Sequence, residues 1–242
     1  MHSVILLPGL ASDTTLWRDQ LPALAARHLV HVSDVHFRFD TLPEMAAALL
    51  AECPGRLVLV GTSMGGMLAL EAQRQAPQRV AGMALLGSSA RADTPELLQL
   101  RSDACRLFEQ GRMDEVLRAN AFLAFHPNST RRDGLVDTYL AFVRRAGAAA
   151  LIRQNRAVMA RIDSRPLLPQ VACPTLVLCG EADRLAPPEH SQEIAAAIPG
   201  ARLEMVPGAG HLLTLEQPAR VNALLLGWLD GLRPAAPATA PR

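Results

Sequence analysis

The stretch Leu57-Val58-Leu59-Val60-Gly61-Thr62-Ser63-Met64-Gly65-Gly66-Met67-Leu68-Ala69-Leu70-Glu71 decides how the rest of the chain is read. Its first four residues are apolar without alternation, as a strand buried on both faces of a parallel sheet requires. From Met64 to Gln75 the residues are helix formers, so strand must become helix within Gly61–Gly65. A turn that tight strains its central residue and needs glycine at 61 and 65, where a side chain would meet neighbouring backbone. Ser63 is therefore displayed at a helix N-terminus, where the dipole and free N–H groups favour negative charge. Taken alone, the same residues also fit a helix-capping serine with glycine punctuation.

Working outward, further short apolar runs recur at Ser3–Leu7, Leu29–Ser33, Val80–Leu86, Thr175–Cys179 and Arg202–Val206. Helical patterns separate most of them, at Leu21–Arg27, Pro43–Glu52, Met64–Gln75, Pro188–Ile198 and Gln217–Leu229. Alternation of this kind predicts an open α/β sheet of parallel strands wrapped by helices, with function at the carboxyl ends of the strands. One interval departs from it. Residues 91–165 hold no strand-like run, whereas Leu97–Gln110, Met113–Leu123 and Leu135–Arg145 repeat apolar residues at amphipathic spacing. We expect a helical cap there, a sheet core from 1–90 and 166–232, and a disordered Pro/Ala-rich tail over 233–242. The cap interval holds 13 Arg against 9 Asp and Glu, a solvated surface in the plainer reading and a funnel for anionic substrates in the bolder one.

Composition narrows the chemistry. Across 242 residues, 50% are hydrophobic and 19% charged, enough to bury a large core. The 24 basic residues are all Arg, so no lysine Schiff base or lysine general base is available. Against 23 acidic residues they leave a formal charge of +1, which gives no reason to expect nucleic acid or a membrane surface as partner. Cys53, Cys105, Cys173 and Cys179 form no CxxC pair and no metal-ligand spacing, so we expect neither a disulfide framework nor a metal site, and no organic cofactor. The opening MHSVILLPGL lacks a basic leader region, and no apolar run reaches membrane-spanning length; a cytoplasmic protein is expected.

A serine hydroxyl needs a base to take its proton, and that base needs a carboxylate to fix its tautomer. Downstream of Thr175–Cys179 comes Gly180-Glu181-Ala182-Asp183-Arg184-Leu185-Ala186-Pro187, and downstream of Arg202–Val206 comes Pro207-Gly208-Ala209-Gly210-His211. Both are loops leaving the rim that Ser63 occupies, so Ser63, Asp183 and His211 are the expected catalytic set. Asp183 could instead cap the helix that follows, Glu181 is its rival, and His211 could be an ordinary loop histidine. A tetrahedral oxyanion needs two N–H donors; Met64 supplies one, and the loop Leu7-Pro8-Gly9-Leu10-Ala11 is placed to supply Leu10.

With GTSMG, GEADRLAP and GAGH in this order, the chain resembles the α/β-hydrolase superfamily over roughly residues 3 to 230. It is similar to small capped bacterial esterases and lactonases, such as 3-oxoadipate enol-lactonases and pimeloyl-carrier-protein methyl ester esterases. The segment Leu85–Glu96 and Trp17 also look like that group. The resemblance implies an α/β-hydrolase fold with Ser63 as nucleophile, Asp183 as acid, His211 as base, and Leu10 and Met64 as oxyanion donors. Two departures stand out: Pro8 where many relatives carry His, and a start at what would be their third strand, leaving about six.

The expected reaction is hydrolysis of a small carboxylic ester, thioester or lactone through an acyl-enzyme on Ser63. The acyl pocket is expected under the cap, among Phe108, Met113, Phe122, Leu123, Phe125, Tyr139 and Phe142. C–C bond hydrolysis or perhydrolysis would use the same groups. From another class, the chain could be a non-catalytic ligand receptor that kept a hydrolase pocket.

Overall fold

A computed structural model of the chain describes residues 3–131 and 134–232; the tail expected to be disordered lies outside these. Six strands form one sheet: β1 (Ser3–Leu7), β2 (Leu29–Val32), β3 (Leu57–Thr62), β4 (Val80–Leu86), β5 (Thr175–Gly180) and β6 (Arg202–Val206). Their order is β2-β1-β3-β4-β5-β6 and every pairing is parallel. The order reverses between β1 and β3, the position at whose carboxyl side open α/β sheets bind their ligands.

The apolar runs form strands because the sheet has two buried faces. All six residues of β3 are buried, and so are all six of β5. Val4, Leu6, Val58, Val60, Leu176 and Leu178 feed one core, and Ile5, Leu7, Leu57, Leu59 and Val177 feed the other. The edge strands β2 and β6 need only one such face and are half exposed along much of their length.

Around the sheet lie α1 (Gln20–Ala25), α2 (Leu42–Glu52), α3 (Met64–Gln75), α4 (Pro95–Glu109), α5 (Met113–Ala124), α6 (Leu135–Met159), α7 (Pro188–Ala197), α8 (Leu213–Glu216) and α9 (Pro218–Asp230). Thr41 starts α2 with a capping box, its hydroxyl accepting from the Glu44 N–H while the Glu44 carboxylate accepts from the Thr41 N–H. Between β4 and β5 the described residues contain helices and no strand, with α4, α5 and α6 the long ones. Helix α6 runs well past the Arg145 end read from the sequence. It kinks at Gly147 (φ 79, ψ 167) and resumes to Met159.

Candidate active site

Ser63 occupies the junction between β3 and α3 with φ 50 and ψ −116, a left-handed region that costs a non-glycine residue roughly 1–3 kcal/mol. Its backbone is held in that state from several sides. The Ser63 N–H donates to Leu86 O at 2.9 Å, and its carbonyl accepts from the Gly66 N–H at 3.0 Å and the Ser88 hydroxyl at 2.8 Å. The flanking glycines are required as expected: a Cβ at Gly61 would run into the Gly65 carbonyl, and one at Gly65 into the Leu7 carbonyl.

Asp183 follows β5 and is 2% exposed. Its Oδ1 accepts from the N–H groups of Leu185 and Ala186 at 3.0 and 2.8 Å, so the turn before α7 fixes the carboxylate. His211 Nδ1 lies 2.8 Å from Oδ2 and 3.0 Å from Oδ1. Asp183 therefore braces its turn and holds the imidazole at once. The rival Glu181 instead accepts the Gly208 N–H at 3.1 Å, in a contact that stays exposed.

Burial of the His211 ring opposes its protonation, but the charge and hydrogen bond of Asp183 outweigh it, helped by Glu216 and opposed by Arg101; the imidazole sits above its ordinary value of 6.5. Gly87 closes the group. A Cβ there would lie 3.0 Å from Asp183 Oδ2 and 3.3 Å from His211 Nδ1, while the preceding Leu86 carbonyl binds the Ser63 N–H. The end of β4 thus touches both the serine backbone and the acid–base pair. Among the described residues no hydrogen bond joins Ser63 Oγ to His211 Nε2; in unliganded hydrolases that contact is often long and tightens with substrate bound.

The loop after β1 crosses directly above the serine: a Cβ at Gly9 would lie 3.4 Å from Ser63 Cβ. Ser12 N–H donates to Gly9 O at 3.1 Å, closing a turn in which Ala11 has φ 52. Among the described residues no acceptor takes the N–H of Leu10 or of Met64.

Phe125 and Phe142 are fully buried, Phe108 nearly so, and Tyr139 stacks edge-on between Phe125 and Phe142 with centroids 5.8 and 5.5 Å away. Met113 packs against the same cluster. Phe122 and Leu123 do not join it: they are 67% and 41% exposed on the outer side of α5. Cavities of about 490 and 370 Å³ are lined by other residues, and neither includes Ser63, Asp183 or His211. Carboxylates outside residues 91–165 answer part of its Arg excess, Glu193 pairing with Arg91 and Arg165, Asp13 with Arg145 and Asp40 with Arg153. Among the described residues no grouping of His, Cys, Asp and Glu could hold a metal, and no helix is long and apolar enough to cross a membrane.

The sequence reading missed Glu216. It is 1% exposed, and its two carboxylate oxygens accept the Gly210 N–H and the His126 N–H, each at 2.8 Å. The His211 N–H also donates to Ala124 O at 2.7 Å, so the base turn is docked on the end of α5. A lone carboxylate closing the apolar run Leu212-Leu213-Thr214-Leu215 was the available signal.

The pimeloyl-[acyl-carrier protein] methyl ester esterase of Edwardsiella ictaluri is 29% identical over 243 residues, spanning 95% of this chain and 94% of that protein. A thermophilic esterase from Thermogutta terrifontis, solved with malate bound, superposes with a TM-score of 0.89 at 27% identity, covering 97% of this chain and 91% of that one. The enol-lactonase of Burkholderia xenovorans shares the fold at a TM-score of 0.84 and 23% identity, over 95% and 91% of the two chains. The model of the alpha/beta hydrolase family matches residues 4–224, and with a sheet order, a serine turn and a buried Asp–His pair of this kind the chain belongs to that family.

Proposed function

We propose that the protein is a serine hydrolase of small carboxylic esters, thioesters or lactones, with residues 1–90 and 166–232 as core and 91–165 as cap. The observation that carries this reading is the convergence of three strand ends on β4: Ser63 bonded through its N–H to Leu86, and the Asp183–His211 pair packed on Gly87. His211 takes the Ser63 proton as Oγ attacks the carbonyl carbon. The resulting oxyanion is held by the Leu10 and Met64 N–H groups, worth roughly 3–4 kcal/mol per donor. Asp183 stabilises the imidazolium, which then protonates the leaving alcohol, thiol or ring oxygen. Water, deprotonated by His211, releases the acyl group and restores Ser63.

The acyl group would be received by Phe108, Met113, Phe125, Tyr139 and Phe142. Phe125 lies between Ala124, whose carbonyl accepts the His211 N–H, and His126, whose backbone nitrogen packs on Gly210, so this cluster adjoins the proposed base. The names of the esterase relatives favour a small-molecule ester as substrate. Cysteines that are all unpaired suit a cytoplasmic setting. A fluorophosphonate should label Ser63 stoichiometrically, and Ser63→Ala should abolish both labelling and hydrolysis of a p-nitrophenyl ester. Turnover retained by Ser63→Ala would overturn the reading.

A further inference from the structure

Gln154 lies in the second half of α6, beyond the kink, and is 0% exposed. Both ends of its amide are committed. Its carbonyl oxygen accepts the Ala11 N–H at 2.6 Å across 143 residues of chain, and its NH2 group donates to His36 O at 2.9 Å. The His36 ring, 2% exposed and with its pKa lowered chiefly by burial, contacts Ser12 O at 2.8 Å through Nε2. Two buried side chains thus grip the turn Gly9–Ser12 from outside.

What they grip is a strained turn. Ala11 has φ 52, a conformation that side-chain-bearing residues avoid unless their surroundings impose it. The orientation of the Leu10–Ala11 peptide is set at one end by Gln154, which takes its N–H, and at the other by the Ser12 hydroxyl, which donates to Leu10 O at 3.3 Å. The neighbouring Gly9–Leu10 peptide gives its carbonyl to the Ser12 N–H. In a trans peptide C=O and N–H point oppositely, so the Leu10 N–H is left on the other edge of that plane.

We infer that Gln154 is a positioning residue for the oxyanion loop: by accepting the Ala11 N–H it holds the positive-φ turn that presents the Leu10 N–H above Ser63. This rests on the reading of Ser63 as nucleophile and Leu10 as oxyanion donor. It also makes the helical segment part of the machinery, because the loop over Ser63 is locked by a side chain from α6.

The test uses the full chain and p-nitrophenyl butyrate. Gln154→Met removes both hydrogen bonds at similar volume, and Gln154→Asn draws the amide back by one methylene while keeping a polar group should the Met variant fail to fold. Either folded variant should lose about 10- to 100-fold in kcat, as displaced catalytic geometry does, with KM little changed. Affinity for a trifluoromethyl ketone, whose tetrahedral adduct needs the same donors, should fall in parallel. Adding Ala11→Gly should restore part of the lost kcat without raising Tm, because glycine adopts the positive φ unaided; a merely structural glutamine would not respond in this way. Wild-type kcat in a folded Gln154→Asn variant beside an inactive Ser63→Ala overturns this inference alone, whereas an active Ser63→Ala overturns the functional reading beneath it.

Discussion

The Asp183–His211 pair and the loop over Ser63 are held by different parts of the molecule. Asp183 is fixed within four residues of its own strand end, by the Leu185 and Ala186 N–H groups, and it fixes His211 in turn. The loop over Ser63 is braced locally by Ser12, whose N–H and hydroxyl bind the Gly9 and Leu10 carbonyls, but the N–H of its positive-φ residue Ala11 is taken from a distance, by Gln154 of α6. Side chains at the carboxyl edge of a parallel sheet inherit their placement from strand register, whereas a positive-φ turn needs an outside partner to stay in it. On the reading proposed above, the sheet edge would supply the proton relay, and the helical segment, through Gln154, would help shape the loop that receives the oxyanion. Glu216 joins the two, binding the Gly210 turn with one oxygen and the end of α5 with the other.

The largest effect is expected from Asp183→Asn, which keeps the geometry but strands His211 in the wrong tautomer and should cost about 10⁴-fold in kcat. A pH–rate profile sharpens the same point. With its pKa raised, His211 in the wild type becomes a neutral base only above the ordinary imidazole value of 6.5, so turnover should climb through an acid limb lying above that pH. In Asp183→Asn the limb should move down, and an unmoved limb would mean that Asp183 does not govern His211. The linked stability effect has the opposite pH sense. A histidine with a raised folded pKa contributes stability in full below its unfolded value and loses it as pH rises through the folded one.

The next effect falls on the helical segment and on stability. Asp93, just before α4, has a side chain 1% exposed between Arg161 at 2.7 Å and Arg101 at 2.7 Å, and the Arg161 side chain is itself 7% exposed. Asp93→Asn leaves the buried Arg161 guanidinium, and with it the half-buried Arg101, without a carboxylate and should cost about 3–5 kcal/mol of unfolding free energy in urea titration. The relay on the sheet edge should survive in whatever remains folded. A variant as stable as wild type would show that this ionic cluster does not hold the segment together.

The smallest effect should come from the joint. Glu216→Gln replaces one acceptor oxygen with an amide that faces an N–H, so one of the Gly210 and His126 N–H groups loses its partner, costing about 1–3 kcal/mol. Because Gly210 precedes His211, kcat should fall several-fold while KM stays near its original value. Loss of stability with kcat intact would confine Glu216 to a packing role.

Much of this site was legible without coordinates. Buried strands of a parallel sheet need continuous apolar runs, so the six strands announced themselves, and loops that leave one sheet edge must share a rim, which brought Ser63, Asp183 and His211 into one frame. Their approach to the end of β4, Ser63 at Leu86 and the Asp183–His211 pair at Gly87, was not legible, nor was the outward turn of Phe122 and Leu123. Phe122, Leu123 and Phe125 crowd the end of one short helix pattern, and periodicity does not say which face of that turn meets the core.

Gln154 shows where the boundary lies. It falls on the apolar stripe of α6 with Ala150, Leu151, Ala157 and Val158, an anomaly visible in the sequence, but the group it satisfies is 143 residues away. Local pattern, strand register and turn chemistry follow from neighbours along the chain, and those the amino-acid order determined. Which buried polar group answers which distant N–H depends on how α6 lies across the loop after β1. Hydrogen bonds act over about 3 Å in space without regard to sequence separation, so only the tertiary structure could decide it.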